Sequence, residues 1–396
     1  MAIFFRPGGM LMGTLVALGL LAGGGVAEAQ QPAPPTPVPF AEALKKAADD
    51  LFSKAAVQGE QVEIVIDPLI DAASGAQSTA TRSMQQRLME IVRSSYPRFT
   101  VLPFDSEALS RKPVVLVGTF TAVNNQGVAD GARDAYRICL TLADLKSNSV
   151  VSKGVARAQI EGVDATPTLY YRDSPLWSKD ASTDAYIKTC QGTKLGEALD
   201  PVYVERLTAA ALINDGILAY ESSHFREALA FYRAARKLPG GEQHRVRIGT
   251  YLAASKLSRR DDTVDAFGDL VEYGLQNNEL MVKLLFKPGT TQFIDNAQIT
   301  EPYPMWLSQI ATRARQKGSC MEIVGHTSRT GLPHVNERLS VLRAQFIMDL
   351  LLIGAPENRG RMLATGRGFK ENLVGTGKDD ASDALDRRVE FKVIGC

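Results

Sequence analysis

The chain lacks the short motifs that mark most catalytic and cofactor sites. It has no G-x-S-x-G, no G-x-x-x-x-G-K-[ST], no G-x-G-x-x-G and no H-E-x-x-H. Its four histidines, His224, His244, His326 and His334, are scattered without metal-ligand spacing, and no C-x-x-C occurs. Lys+Arg 45 against Asp+Glu 44 leaves a net charge of +1, so the excess that would favour nucleic acid or a bulk anionic surface is missing. Aromatic residues make up only 7% and are not interleaved with basic ones, which removes a stacking platform for bases. The expectation is a protein without catalytic residues, cofactor, metal or nucleic-acid partner. What the chain does have is 396 residues, enough for two or three domains, and 45% hydrophobic residues to fill their cores.

At the N-terminus Arg6 precedes an apolar run from Met10 to Val26, and Ala27-Glu28-Ala29 offers small residues for cleavage. This is the layout of a secretory signal peptide over residues 1–29, with an uncleaved anchor as the alternative. No cysteine adjoins the cleavage point, so no lipid anchor is expected there. Residues 30–57 begin with a stiff Pro-rich spacer, Gln31 to Pro39. An amphipathic helix from Phe40 to about Ala56 follows, with Phe40, Leu44, Leu51 and Phe52 near one stripe. In an exported chain, Cys139, Cys190, Cys320 and Cys396 suggest two disulfides. Three pairings are possible; position along the chain favours Cys139–Cys190 and Cys320–Cys396.

Residues 58–170 read as an α+β domain. Val62–Asp67, Phe99–Pro103 and Val114–Gly118 are strand-like, Ser83–Val92 is helical, and Ala135–Ala143 with Val150–Ala158 brackets a turn at Lys146–Ser149. Asp67 and Asp71 read as turn chemistry at a strand end rather than an acid–base pair. Gly118–Thr121 and the following Asp144-Leu145-Lys146 resemble, weakly, the small domain of penicillin-binding-protein activators and curli-secretion lipoproteins. Residues 200–280 are helical in pattern. Gly216, Tyr220, Phe225, Ala228, Tyr232 and Ala235 resemble one tetratricopeptide repeat, and Ala254, Leu257, Ala266 and Leu270 echo it. That resemblance implies a surface for another envelope protein.

The strongest signal lies in residues 281–396. Cys320–Gly325 is a short apolar run, a buried strand. A polar turn, His326 to Leu332, leads to Pro333, which suits the first turn of a helix. Along that helix Val335, Leu339, Leu342, Phe346 and Leu350 form an apolar stripe, while Asn336, Ser340 and Arg343 share a polar face. A strand end, a turn and a helix N-terminus make a pocket suited to an anion. Gly325-His326-Thr327-Ser328, then Asn336, Leu339-Ser340, Arg343-Ala344 and finally Arg387-Arg388-Val389-Glu390 resemble the OmpA-like C-terminal domain, a periplasmic peptidoglycan-binding module.

The resemblance implies a β-α-β-α-β-β order opening at Leu284–Phe293. It also implies a site made by Thr327, Ser328, Asn336, Arg343 and Arg387 for the diaminopimelate of the peptidoglycan stem peptide. Arg343 would pair with the ligand carboxylate, and Asn336 would line the pocket. The family carries an aspartate where this chain has Ser328, so the ligand ammonium loses its partner unless Asp379, Asp380, Asp383 or Asp386 reaches the site. The whole reads as an α+β multidomain protein of the periplasm, associated with the outer membrane or cell wall, that binds peptidoglycan and scaffolds other proteins. The alternative is a regulatory activator of a wall enzyme or secretion system whose wall contact is weakened or lost.

Overall fold

Strand-forming runs lie in two groups along the chain, and longer helical segments fill the stretch between them. The structure is a computed structural model. It describes residues 35–129, 131–373, 375, 377 and 381–396; the expected signal peptide, Asp379 and Asp380 lie outside these. The architecture is α+β, with two separate sheets and an array of helices between them in sequence.

The first sheet contains β1 (Val62–Ile66), β2 (Ile70–Asp71), β3 (Phe99–Leu102), β4 (Val114–Val123), β5 (Ala135–Asp144) and β6 (Ser149–Gln159). Its order is β3-β1-β4-β5-β6, with β2 also pairing β4; the pairs among β1 to β4 are parallel, and β4-β5-β6 is antiparallel. Helices α1 (Phe40–Ser53) and α2 (Thr79–Ser95) share a core on one face with Leu44, Leu51, Met84, Leu88 and Ile64. Contact is closest at Gly154, where an added Cβ would lie 1.9 Å from the Ala47 carbonyl oxygen. Short α3 (Ser106–Ser110) and α4 (Leu169–Asp173) follow in sequence, then α5 (Ala181–Gln191) and α6 (Pro201–Glu221). Tyr186 of α5, with Tyr203 and Leu207 of α6, packs with Val65, Val117 and Cys139 in a second core.

Asp67 departs from its reading as a turn residue. It is buried and accepts from Arg206 Nη2 at 2.5 Å and from the Tyr203 hydroxyl at 3.2 Å, tying α6 to the sheet. Asp71 does serve a turn, accepting from the backbone N–H and hydroxyl of Ser74, both at 2.8 Å.

Helices α7 (Phe225–Ala235), α8 (His244–Lys256) and α9 (Arg260–Asn277) complete two consecutive helix pairs with α6. Tyr232 explains two glycines. A Cβ on Gly216 of α6 or Gly249 of α8 would meet its ring at 2.6 and 2.3 Å, so both helices approach α7 at a residue without a side chain. After α10 (Ala297–Thr300) and α11 (Tyr303–Lys317) come β7 (Cys320–Gly325), α12 (Pro333–Gly354), β8 (Met362–Gly366), α13 (Ala381–Asp386) and β9 (Val389–Ile394). The second sheet is β8-β7-β9, with β8 parallel and β9 antiparallel to β7. One continuous core joins this sheet to the helices, from Tyr170, Tyr220 and Tyr232 through Phe267 and Trp306 to Ile347 and Phe391. Among the described residues no helix is long and apolar enough to cross a membrane.

One expectation is corrected here. The opening strand at Leu284–Phe293 does not form; only isolated bridges join Leu280 to Phe391 and Phe286 to Phe293. Its backbone bonds locally instead: Lys287 N donates to the Gln292 carbonyl at 2.9 Å and Ile294 N to the Leu285 carbonyl at 3.2 Å, while the preceding Met281 and Lys283 bond to Trp177 and Pro175. Helix α12 buries Asn336, Ser340, Arg343, Ala344, Ile347 and Leu351, and Phe346 and Leu350 of its apolar stripe pack against the same core, while Val335 and Leu342 are 48% and 45% exposed. Cys139 and Cys190, the other expected pair, are buried neighbours with Sγ atoms 2.8 Å apart. Cys320 and Cys396 are joined, Cα atoms 5.3 Å apart, because β9 runs antiparallel to β7 and returns the C-terminus beside Cys320.

Candidate ligand-binding site

The site grows from the end of β7. Gly325 is required there, since an added Cβ would sit 1.8 Å from the Ser340 carbonyl oxygen of α12. This approach sets the 326–332 turn directly over the helix N-terminal half. Within the turn the Ser328 and Thr330 hydroxyls are 2.8 Å apart, and Asn336 Nδ2 donates to the Thr330 carbonyl at 2.9 Å. Thr327 N donates to the Gly368 carbonyl at 2.9 Å, and Ser340 Oγ accepts from Gly368 N at 3.0 Å, so the loop after β8 packs on the turn. From the β9 side, Arg387 Nη1 reaches Ser328 Oγ at 3.5 Å. Thr327, Ser328, Asn336, Arg343 and Arg387 therefore meet at one junction, each less than 9% exposed.

Arg343 is the centre of the junction and is fully buried. Its Nε donates to Thr290 O at 3.0 Å, Nη1 to His326 O at 3.1 Å and Nη2 to Lys287 O at 3.0 Å, with the guanidinium 5.0 Å from the centre of the Phe286 ring. Three of its five N–H donors are used on backbone carbonyls, leaving two for a further acceptor. Burial, and then the charge of Arg387, pull the Arg343 pKa down to about 9. An anion placed beside both guanidiniums would relieve that penalty and stabilise the charged form.

Behind the turn lies an ion-pair network. Arg388 Nη2 and Nε hold Glu390 Oε1 at 2.6 and 2.9 Å. Burial pushes the Glu390 carboxyl up, yet Arg388 and His326 outweigh it and hold it well below the usual range. His326 is buried with Nδ1 3.9 Å from Glu371 and Nε2 3.6 Å from Glu390, a set of donors near enough to share a cation. Arg388 already occupies Glu390 and, after burial itself, lowers the His326 pKa, so this cluster is read as structural. Asp383 and Asp386 are turned toward the loop after β8. Asp386 accepts from Asn372 Nδ2 at 2.7 Å and from Leu373 N and Gly375 N at 2.8 Å, and Asp383 from Gly377 N at 3.0 Å.

Sequence reasoning found the side chains of this junction and missed the backbone of Lys287, His326 and Thr290. A carbonyl has no residue signature, so only the fold reveals it. The one available signal was Lys287-Pro288-Gly289-Thr290, a turn that holds Arg343 by its carbonyls.

No protein-family model matches the chain, and no curated relative matches either. Solved structures are similar over the C-terminal part alone. The peptidoglycan-associated lipoprotein of Burkholderia pseudomallei is 22% identical, covering 28% of this chain and 88% of its own, with a TM-score of 0.25. The cell wall anchor of the T6SS from Pseudomonas aeruginosa is 28% identical over 29% of this chain and 80% of its own, TM-score 0.24. The C-terminal domain of Helicobacter pylori MotB is 16% identical over 28% and 84%, TM-score 0.24.

Proposed function

We propose that the junction of β7, α12 and β9 binds the peptide stem of peptidoglycan noncovalently, in the manner of OmpA-like domains, and that the chain serves as a binding and scaffolding protein of the periplasm. What carries this reading is Arg343. It is a buried guanidinium with two donors left over, crowded by a second arginine, beneath a turn bearing hydroxyls. The diaminopimelate carboxylate is the acceptor that fits it, with Thr327, Ser328, Asn336 and Arg387 around it. The helices of residues 200–280 are the surface for an envelope protein.

The second reading, a regulator with weakened wall contact, is favoured by Ser328, which brings no charge to a ligand ammonium. Co-sedimentation of the whole chain with purified sacculi decides between them. Retention that soluble diaminopimelate-containing tripeptide competes away supports the first; recovery in the supernatant at every sacculus concentration supports the second.

A further inference from the structure

Arg133 lies between β4 and β5, in the α+β part of the chain, and is 5% exposed. Its terminal nitrogens both leave that part: Nη1 donates to the Leu373 carbonyl and Nη2 to the Asn372 carbonyl, each at 2.7 Å. A guanidinium closing on two successive carbonyls fixes the orientation of the peptide as well as its distance. From the other side the same two residues are held by Asp386, the buried neighbour of Arg387. The segment so clamped is continuous with the wall of the site. Arg367 N donates to Gly325 O at 3.0 Å, Thr327 N to Gly368 O at 2.9 Å, and a Cβ added at Gly377 would lie 3.5 Å from Arg329 Cβ, one residue beyond Ser328.

We propose that Arg133 is a positioning residue for the ligand site: through the Asn372–Leu373 backbone, the α+β part of the chain orders the loop that walls the site. This rests on the wall-binding reading above, and it gives that part of the chain a role in ligand binding. Without the fork two carbonyls lose buried donors, and the Asn372–Leu373 backbone loses its tie to the α+β part of the chain. The charge of Arg133 has a second duty. Burial pushes the Asp71 carboxyl up, and Ser74 and then Arg133 draw it back.

The test uses the full chain with two substitutions. Arg133→Ala removes both the fork and the charge; Arg133→Lys keeps the charge near Asp71 without the fork. Hydrogen exchange is followed at the amides of Leu373 and Gly375, and binding is measured with the tripeptide L-Ala–D-Glu–meso-diaminopimelate. Arg133→Ala is expected to exchange these amides about tenfold faster and to bind about fivefold more weakly. Arg133→Lys is expected to regain thermal stability while keeping both defects. Unchanged exchange in Arg133→Ala overturns the proposal, as does faster exchange with unchanged affinity, or full recovery of binding by Arg133→Lys. If the unaltered chain binds no tripeptide, the wall-binding reading fails and takes the role at the site with it. That result is distinguishable, because exchange in Arg133→Ala would still rise.

Discussion

At position 328 a hydroxyl sits 3.5 Å from a guanidinium nitrogen of Arg387. A carboxylate there would do two things at once: give a ligand ammonium a charged partner, and neutralise part of the positive field an anion feels. Ser328→Asp is therefore expected to tighten binding of meso-diaminopimelate by about fivefold, roughly 1 kcal/mol. It should weaken binding of pimelate, which has the two carboxylates and neither ammonium. Calorimetry with both ligands checks it, and a change of the same sign for the two would show that the ammonium is not read at this position. In the proposed site Arg343 combines structural and binding duties. Arg343→Ala strands the carbonyls of Thr290, His326 and Lys287, at a cost of about 2–4 kcal/mol of stability. Arg343→Lys is the cleaner probe, since it keeps the charge and loses the planar fork. Its affinity for the tripeptide is expected to fall about tenfold while its near-UV circular dichroism stays native; undiminished affinity would remove Arg343 from the site.

At the scale of elements, β7, β8, β9 and α12 were legible because each is a short apolar run or a long periodic one bounded by glycine or proline. How deeply the polar face of α12 is buried was not. The structure buries it because Ser340 and Arg343 find backbone partners across the turn that offset their desolvation; of the apolar stripe, Phe346 and Leu350 pack against the core and Val335 and Leu342 stay at the surface. The lost opening strand has a local cause: Lys287 N and Ile294 N donate to the Gln292 and Leu285 carbonyls, so the segment turns back on itself.

Adjacent antiparallel strands bring Cys320 to Cys396, a closure of 76 residues worth about 4 kcal/mol by the chain-entropy model. Reduction should lower the unfolding midpoint accordingly, and a Cys396→Ser chain should show the same loss without reductant. Cys139 and Cys190 are expected to resist thiol reagents until the chain is unfolded; burial and the bond that it donates to Cys139 raise the Cys190 thiol.

At the scale of the whole molecule, Lys283 sits where the helices hand over to the C-terminal sheet. It is buried, donates from Nζ to the Tyr171 carbonyl at 2.7 Å and lies 4.6 Å from the centre of the Trp177 ring. Burial pulls its pKa down from 10.5 to about 7, against the opposing pull of Asp173. The sign of the linkage follows. Between about 7 and 10.5 the unfolded chain holds a proton that the folded chain has released, so folding is favoured as pH rises through that window. Below about 7 both states are protonated and the penalty of the buried charge is constant. Lys283→Met removes the titration and fills the same space with an apolar chain, so stability measured by urea unfolding should rise less between pH 7 and 10 than in the unaltered protein. Because one core runs from Tyr170 to Phe391, that change should appear in a single transition shared by the helices and the second sheet. Two separate transitions, with the pH dependence confined to one, would mean that the helices and the sheet unfold independently despite their common core.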